Sequence, residues 1–220
     1  MLYSESKRLA FAHFPKTAGS SLSAWFRRQF SDAVYVEPGT PHLQVRPALE
    51  RLGLMKAPPR RSRLVRNGLR LVRPFVPQKP ACTPRCDLKI IGVVREPFEM
   101  LVSLYEYWRR CNFQEEPPQP IIQVAITSSF REFLELAVRK RVLETYESFF
   151  DVGGPAWETT RLIDFDSLQP SLEAVCREFG LDPPTGVERL NAAPSRVREA
   201  GSYLAEAGSL VFERSEEPHV

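Results

Sequence analysis

Two short stretches of the 220-residue chain concentrate groups suited to gripping a phosphate or sulfate. In "PKTAGSS", Lys16 stands ahead of Thr17, Ala18, Gly19, Ser20 and Ser21. A helix N-terminus carries unpaired N–H groups and the positive end of the helix dipole, so it attracts an anion. The anion can approach only where side chains are small, as at Ala18, Gly19, Ser20 and Ser21. Thr17, Ser20 and Ser21 add hydroxyl donors, and Lys16 adds a flexible ammonium. The plainer reading of the same residues is a tight strand-to-helix turn capped by serine. A Walker A loop ends in Gly-Lys-Ser/Thr, whereas this lysine precedes the small residues, so a P-loop kinase is disfavoured. The second stretch, "GVVREPFEMLVSLYEYW", sets Arg95 before Pro97, with Ser103 eight residues after the arginine. Arg95 can fork onto a phosphate and Ser103 can add a hydroxyl bond. Read alone, the same pair is an arginine at a sheet edge and a serine facing a helix core.

Both groups need elements that carry them to a common edge. Leu9 to Phe14 reads as a short buried strand, and Gly19 to Phe30 as a helix with Leu22, Trp25, Phe26 and Phe30 on one face. Residues 33–36 predict a second strand, and Gln44 to Leu52 a helix. The continuous apolar run "LKIIGVV", 88–94, predicts a strand buried on both faces, as in a parallel sheet. Pro97 suits the first turn of a helix ending near Arg110. After the acidic, Pro-rich link "NFQEEPPQP", helical patterns return near 129–149. A strand at 160–165, a helix from Leu168 to Phe179 stopped by Gly180, and a last helix around Tyr203 to Arg214 complete the pattern. This alternation predicts an α/β fold with an open, mainly parallel sheet flanked by helices. One domain spans 1–220, with a basic, Pro-rich insert at about 56–87. In such a sheet ligands gather at the carboxyl ends of strands, where Lys16 and Arg95 both fall.

Composition agrees with one folded domain: 43% of residues are hydrophobic and 26% charged, enough apolar content for a core. The net charge of +3 favours an anionic ligand without requiring nucleic acid. Cys82 and Cys86, in "CTPRC", have no second pair and no histidine cluster nearby, so reduced thiols and no metal are expected. The first residues are too polar for a signal peptide and no apolar stretch approaches bilayer length. No membrane span and a cytoplasmic location are expected.

Taken as a pair, the two stretches resemble the PAPS-dependent sulfotransferases, in particular the carbohydrate-type branch. "HFPKTAGSSL" looks like their 5′-phosphosulfate loop and "REPFEMLVS" like their 3′-phosphate motif. "RLIDFDSL" resembles a later strand and turn of the family, with an Asp where Glu is commoner. "LNAAPSR" resembles their C-terminal Asn-containing cofactor loop more loosely. The likeness runs from about residue 9 to 214, and 56–87 has no counterpart.

The resemblance implies a P-loop-kinase-like sulfotransferase fold. It implies transfer of a sulfuryl group from 3′-phosphoadenosine-5′-phosphosulfate (PAPS) to a hydroxyl of a carbohydrate or small-metabolite acceptor, without a metal. Lys16 would stabilise the leaving 5′-phosphate, and Thr17, Ala18, Gly19, Ser20 and Ser21 would hold it, largely through backbone N–H groups. Arg95 and Ser103 would bind the 3′-phosphate, joined by Arg196 or Arg198 of the tail motif unless these are solvated. The general base would be a His or Glu after the second strand. There "YVEPGTPHLQ" offers His42, preferred because imidazole titrates near neutrality, and Glu37. Either residue also reads as ordinary loop surface. His13 reads as a loop-orienting or packing residue. The length and the missing anchor set the chain apart from Golgi-anchored glycan enzymes and point to a microbial cytosolic enzyme.

The insert adds a second theme. "KAPPRRSRLVRNGLRLVR", 56–73, holds seven Lys or Arg residues and no acid, with Arg63, Arg66, Arg70 and Arg73 at helical spacing. A solvated helix, a rim drawing in an anionic acceptor, and attachment to a membrane surface or nucleic acid all fit it. The alternative function is accordingly a non-catalytic anion or nucleic-acid binding protein using 56–73. The sulfotransferase reading expects no nucleic-acid partner.

Overall fold

The computed structural model describes residues 1–55, 88–111, 119–139, 142–152, 160–188, 190 and 200–208. The basic insert, Cys82 and Cys86, and His219 lie outside the described residues.

In chain order the elements are β1 (Leu2–Ser4), β2 (Leu9–Ala12), α1 (Gly19–Gln29), β3 (Val34–Tyr35), α2 (Val45–Arg51), β4 (Lys89–Val94) and α3 (Pro97–Arg110). They continue as α4 (Pro120–Thr127), α5 (Phe130–Arg139), α6 (Tyr146–Phe150), β5 (Thr160–Asp164), α7 (Leu168–Glu178) and α8 (Ala200–Ala207). The strands form one open sheet in the order β3-β1-β2-β4-β5. β4 runs parallel to β2, with Leu9 opposite Lys89, and parallel to β5, with Ile90 opposite Thr160. β1 is antiparallel to both β2 and β3. The α/β class therefore holds, but the sheet is mixed rather than mainly parallel. β1 is the reason. Its link to β2 is the tight turn Glu5–Arg8, closed by the Arg8 N–H on the Glu5 carbonyl at 3.1 Å, and so short a link permits only antiparallel pairing.

Alternation along the central strands feeds two cores. Ala10, Ala12 and Ile90 face Leu49 of α2, Met100 and Leu104 of α3, and Phe149 and Phe150 of α6. Leu9, Phe11, Ile91, Val93 and Ile163 face Leu22, Trp25 and Phe26 of α1 and Leu172, Val175 and Cys176 of α7. Burying each large side chain stabilises the fold by about 1.5–3 kcal/mol. The far side of α3 packs through Val102 and Tyr105 onto α4, α5 and α8. α3 is thus clamped between the sheet and a helical layer. It starts sharply because Pro97 sits in its first turn and the Glu96 carboxylate accepts from the Phe98 and Glu99 N–H groups. No described helix is long and apolar enough to cross a membrane.

Candidate anion site at the carboxyl edge of the sheet

The chain leaves β2 and enters α1 through a strained turn. Lys16 and Ala18 both adopt left-handed backbone conformations, at φ 62 and φ 59. For side chains with a Cβ such conformations cost about 1 kcal/mol or more each, so the turn must be held from outside. Thr17, between them, is buried, and its hydroxyl donates to the Phe14 carbonyl at 2.9 Å. Ala18 is the N-cap of α1 and no side chain caps the helix start. The serine-capped turn is therefore not what forms. Turns of this hand can aim successive N–H groups at one point, and with an uncapped helix dipole this is the geometry an anion cradle needs.

The Thr17 and Ser21 hydroxyls are engaged within the protein: the Ser21 hydroxyl accepts from the Leu190 N–H at 3.0 Å. Ser20 is exposed in the first turn of the helix. The Ser21 bond brings Leu190, at the head of "LNAAPSR", to the cradle helix. Asn191, Arg196 and Arg198 lie outside the described residues.

Behind the cradle lies His13. A Cβ added at Gly19 would fall 1.6 Å from its Nε2, so the imidazole rests directly on the bare Cα of the first helical residue. Its Nδ1 is buried with no hydrogen-bond partner. Burial, with the nearby His42, N-terminal amine and Lys16 charges adding to it, pushes His13 down to about 3. The ring is thus neutral and acts as a packing wedge. His42 meets it edge-on at 4.4 Å between ring centroids, and its Nδ1 lies 3.0 Å from the His13 carbonyl. A carbonyl can only accept, so Nδ1–H donates and Nε2 keeps the lone pair, the tautomer a base requires. The packing around His42 desolvates it and lowers it below the ordinary histidine value, against an upward pull from the His13 carbonyl. Glu37, the other candidate base, is ion-paired with Arg51 of α2.

Three cations gather in front. The Lys16 ammonium sits 3.9 Å over the Tyr107 ring. Burial holds Lys16 below the usual lysine range, and the Arg110 and Arg95 charges add to this while Cys111 opposes it. Arg95 leaves the end of β4 with its guanidinium 4.4 Å over the Phe165 ring and 3.4 Å from the Glu99 carboxylate. Ser103, half-buried, lies one turn after Glu99 and one before Tyr107. Residues 99, 103 and 107 share a helix face by their spacing of four. The Arg95–Glu99 and Lys16–Tyr107 contacts turn that face toward both cationic turns.

Lys16, Arg95, Ser103 and the cradle residues therefore meet at one sheet edge, with His42 on the His13 side. Tyr107, Arg110 and Tyr146 belong to the same neighbourhood, and sequence reasoning passed over them. For the first two the signal was present, since they follow Ser103 by four and seven residues along one helix. Among the described residues no group of three His, Cys, Asp or Glu could hold a metal ion. Comparison of the chain with protein-family models, curated proteins and solved structures finds no match.

Proposed function

We propose that the protein is a PAPS-dependent sulfotransferase acting on a hydroxyl of a carbohydrate or small-metabolite acceptor, on a P-loop-kinase-like sulfotransferase fold. One observation carries the reading: a left-handed turn at an uncapped helix start presents Lys16 after β2, Arg95 stands at the end of the parallel neighbour β4, and the Arg110 and Arg95 charges both disfavour the charge on Lys16. A dianion between them would relieve that repulsion and sit at the positive end of the α1 dipole. PAPS supplies an activated sulfuryl group and anionic charge at both its 5′ and 3′ positions, matching a cradle and a separate arginine.

In this reading the N–H groups of residues 17–21 hold the 5′-phosphate. Lys16 neutralises charge gathering on the oxygen that bridges phosphorus and sulfur. Arg95 and Ser103 bind the 3′-phosphate, which distinguishes this donor from ATP. His42 Nε2 takes the proton of the acceptor hydroxyl as its oxygen bonds to sulfur. The bridging S–O bond breaks at the same time, and its electron pair leaves with the 5′-phosphate. Glu37 is the weaker base candidate, because Arg51 already engages its carboxylate.

Calorimetric titration with adenosine 3′,5′-bisphosphate tests this reading. The wild type is expected to bind it, and Arg95→Ala to lose at least about tenfold in affinity, as for a charged hydrogen bond removed. A wild type that does not bind the bisphosphate refutes the function.

A further inference from the structure

The two cationic turns follow different strands, and a side chain outside both touches each. Tyr146 opens α6, which is started by a capping box between Thr145 and Ser148. The Tyr146 hydroxyl accepts from the Arg95 N–H at 3.0 Å and donates to the Arg95 carbonyl at 2.9 Å. Its ring lies 4.5 Å from Phe14, two residues before Lys16. The helix that carries it has little room to shift. Phe150 packs on the bare Cα of Gly92, where a Cβ would fall 2.3 Å from the ring, and Phe149 meets Phe14 edge-on at 5.0 Å. A hydroxyl bonded to both backbone groups of one residue fixes the peptide planes on either side of it. That sets the direction in which Arg95 leaves β4.

We propose that Tyr146 is a positioning residue that holds the Arg95 turn at a set distance from the Lys16 cradle, so that the site prefers an anion charged at two ends over one charged at a single end. The inference rests on the donor-nucleotide reading above. Tyr146 acts through Arg95 and Phe14 and touches no ligand. A purely structural tyrosine would affect every ligand alike, whereas a spacer affects the one that bridges the two turns.

The test compares adenosine 3′,5′-bisphosphate with adenosine 5′-monophosphate by calorimetry, on the wild type and on Tyr146→Phe, with melting temperatures recorded for both. Loss of the two hydroxyl bonds is expected to cut bisphosphate affinity about tenfold and monophosphate affinity less than about twofold. Equal losses with the two probes, or no loss with either, overturn the inference. A wild type that does not bind the bisphosphate overturns the functional reading instead, and this inference falls with it. Hydrogen exchange on the wild type gives a second measure that needs no variant. The Arg95 amide is expected to exchange slowly, and more slowly with bisphosphate than with monophosphate. Exchange at the rate of an open loop, or equal slowing by both probes, overturns the spacer role.

Discussion

Gly19→Ala is the sharpest probe of how the cradle is held. The new Cβ would lie 1.6 Å from His13 Nε2, 1.7 Å from Cδ2 and 2.4 Å from Cε1, where real Cβ contacts stay beyond 3.0 Å. The imidazole would have to retreat by more than an ångström. Retreat is opposed by Phe11, stacked at 6.0 Å, and by His42 at 4.4 Å. Overpacking of this kind costs about 1–3 kcal/mol, against a helix-propensity gain for Ala of at most about 1 kcal/mol. The single substitution is therefore expected to destabilise by about 2 kcal/mol in urea unfolding, with an unchanged m-value. In a His13→Ala background the obstacle is gone, and the same substitution should become neutral or stabilising. The coupling energy of this double-mutant cycle would be about 2–3 kcal/mol. Equal destabilisation in both backgrounds, or none in either, would refute the claim that His13 seats the helix start.

Three further outcomes follow from the charges. His13 sits at about 3 in the folded chain against an ordinary 6.5, so between those values the unfolded chain binds the extra proton. Stability should fall as pH drops from about 6.5 towards 3, by roughly 1 kcal/mol per pH unit, and His13→Asn should flatten the slope in a pH series of urea melts. Arg110→Gln removes a repelling charge, so NMR titration of lysine side chains should show Lys16 moving up, while affinity for the bisphosphate drops severalfold; an unmoved Lys16 would remove Arg110 from the cluster. Asp32 is lowered to about 2, first by the Ser6 N–H and then by the Ser4 hydroxyl. Its contribution, present above the unfolded value of 3.8, should vanish as pH falls through 2, and Asp32→Asn should lose that part of the acid transition in circular dichroism.

Legibility in the sequence followed the range of each interaction. β4 and α3 could be read because a buried apolar run and a Pro97 start are local signals. Lys16 and Arg95 could be read because they stand at strand ends, where topology alone decides the edge they occupy. β1 was passed over: Leu2–Ser4 is too short for a periodic pattern, and it exists because it can pair on both sides. α4 begins at Pro120, in what the sequence presents as the end of a Pro-rich link, because Pro at N1 starts a helix as readily as it breaks one. Tyr146 had no local signature, since its hydroxyl reaches a backbone 51 residues away. The Ser21–Leu190 bond spans 169 residues, and the hydroxyl that looked like a ligand donor is spent on it.

The parallel pairing of β2 with β4 joins Leu9 to Lys89 across the whole intervening chain. Closing a loop costs entropy that grows only with the logarithm of its length, about 0.6 kcal/mol for each doubling. That register is therefore almost indifferent to how many residues lie between α2 and β4. New sequence can accumulate in this crossover at slight thermodynamic expense, while the strand ends that carry Lys16 and Arg95 keep their places.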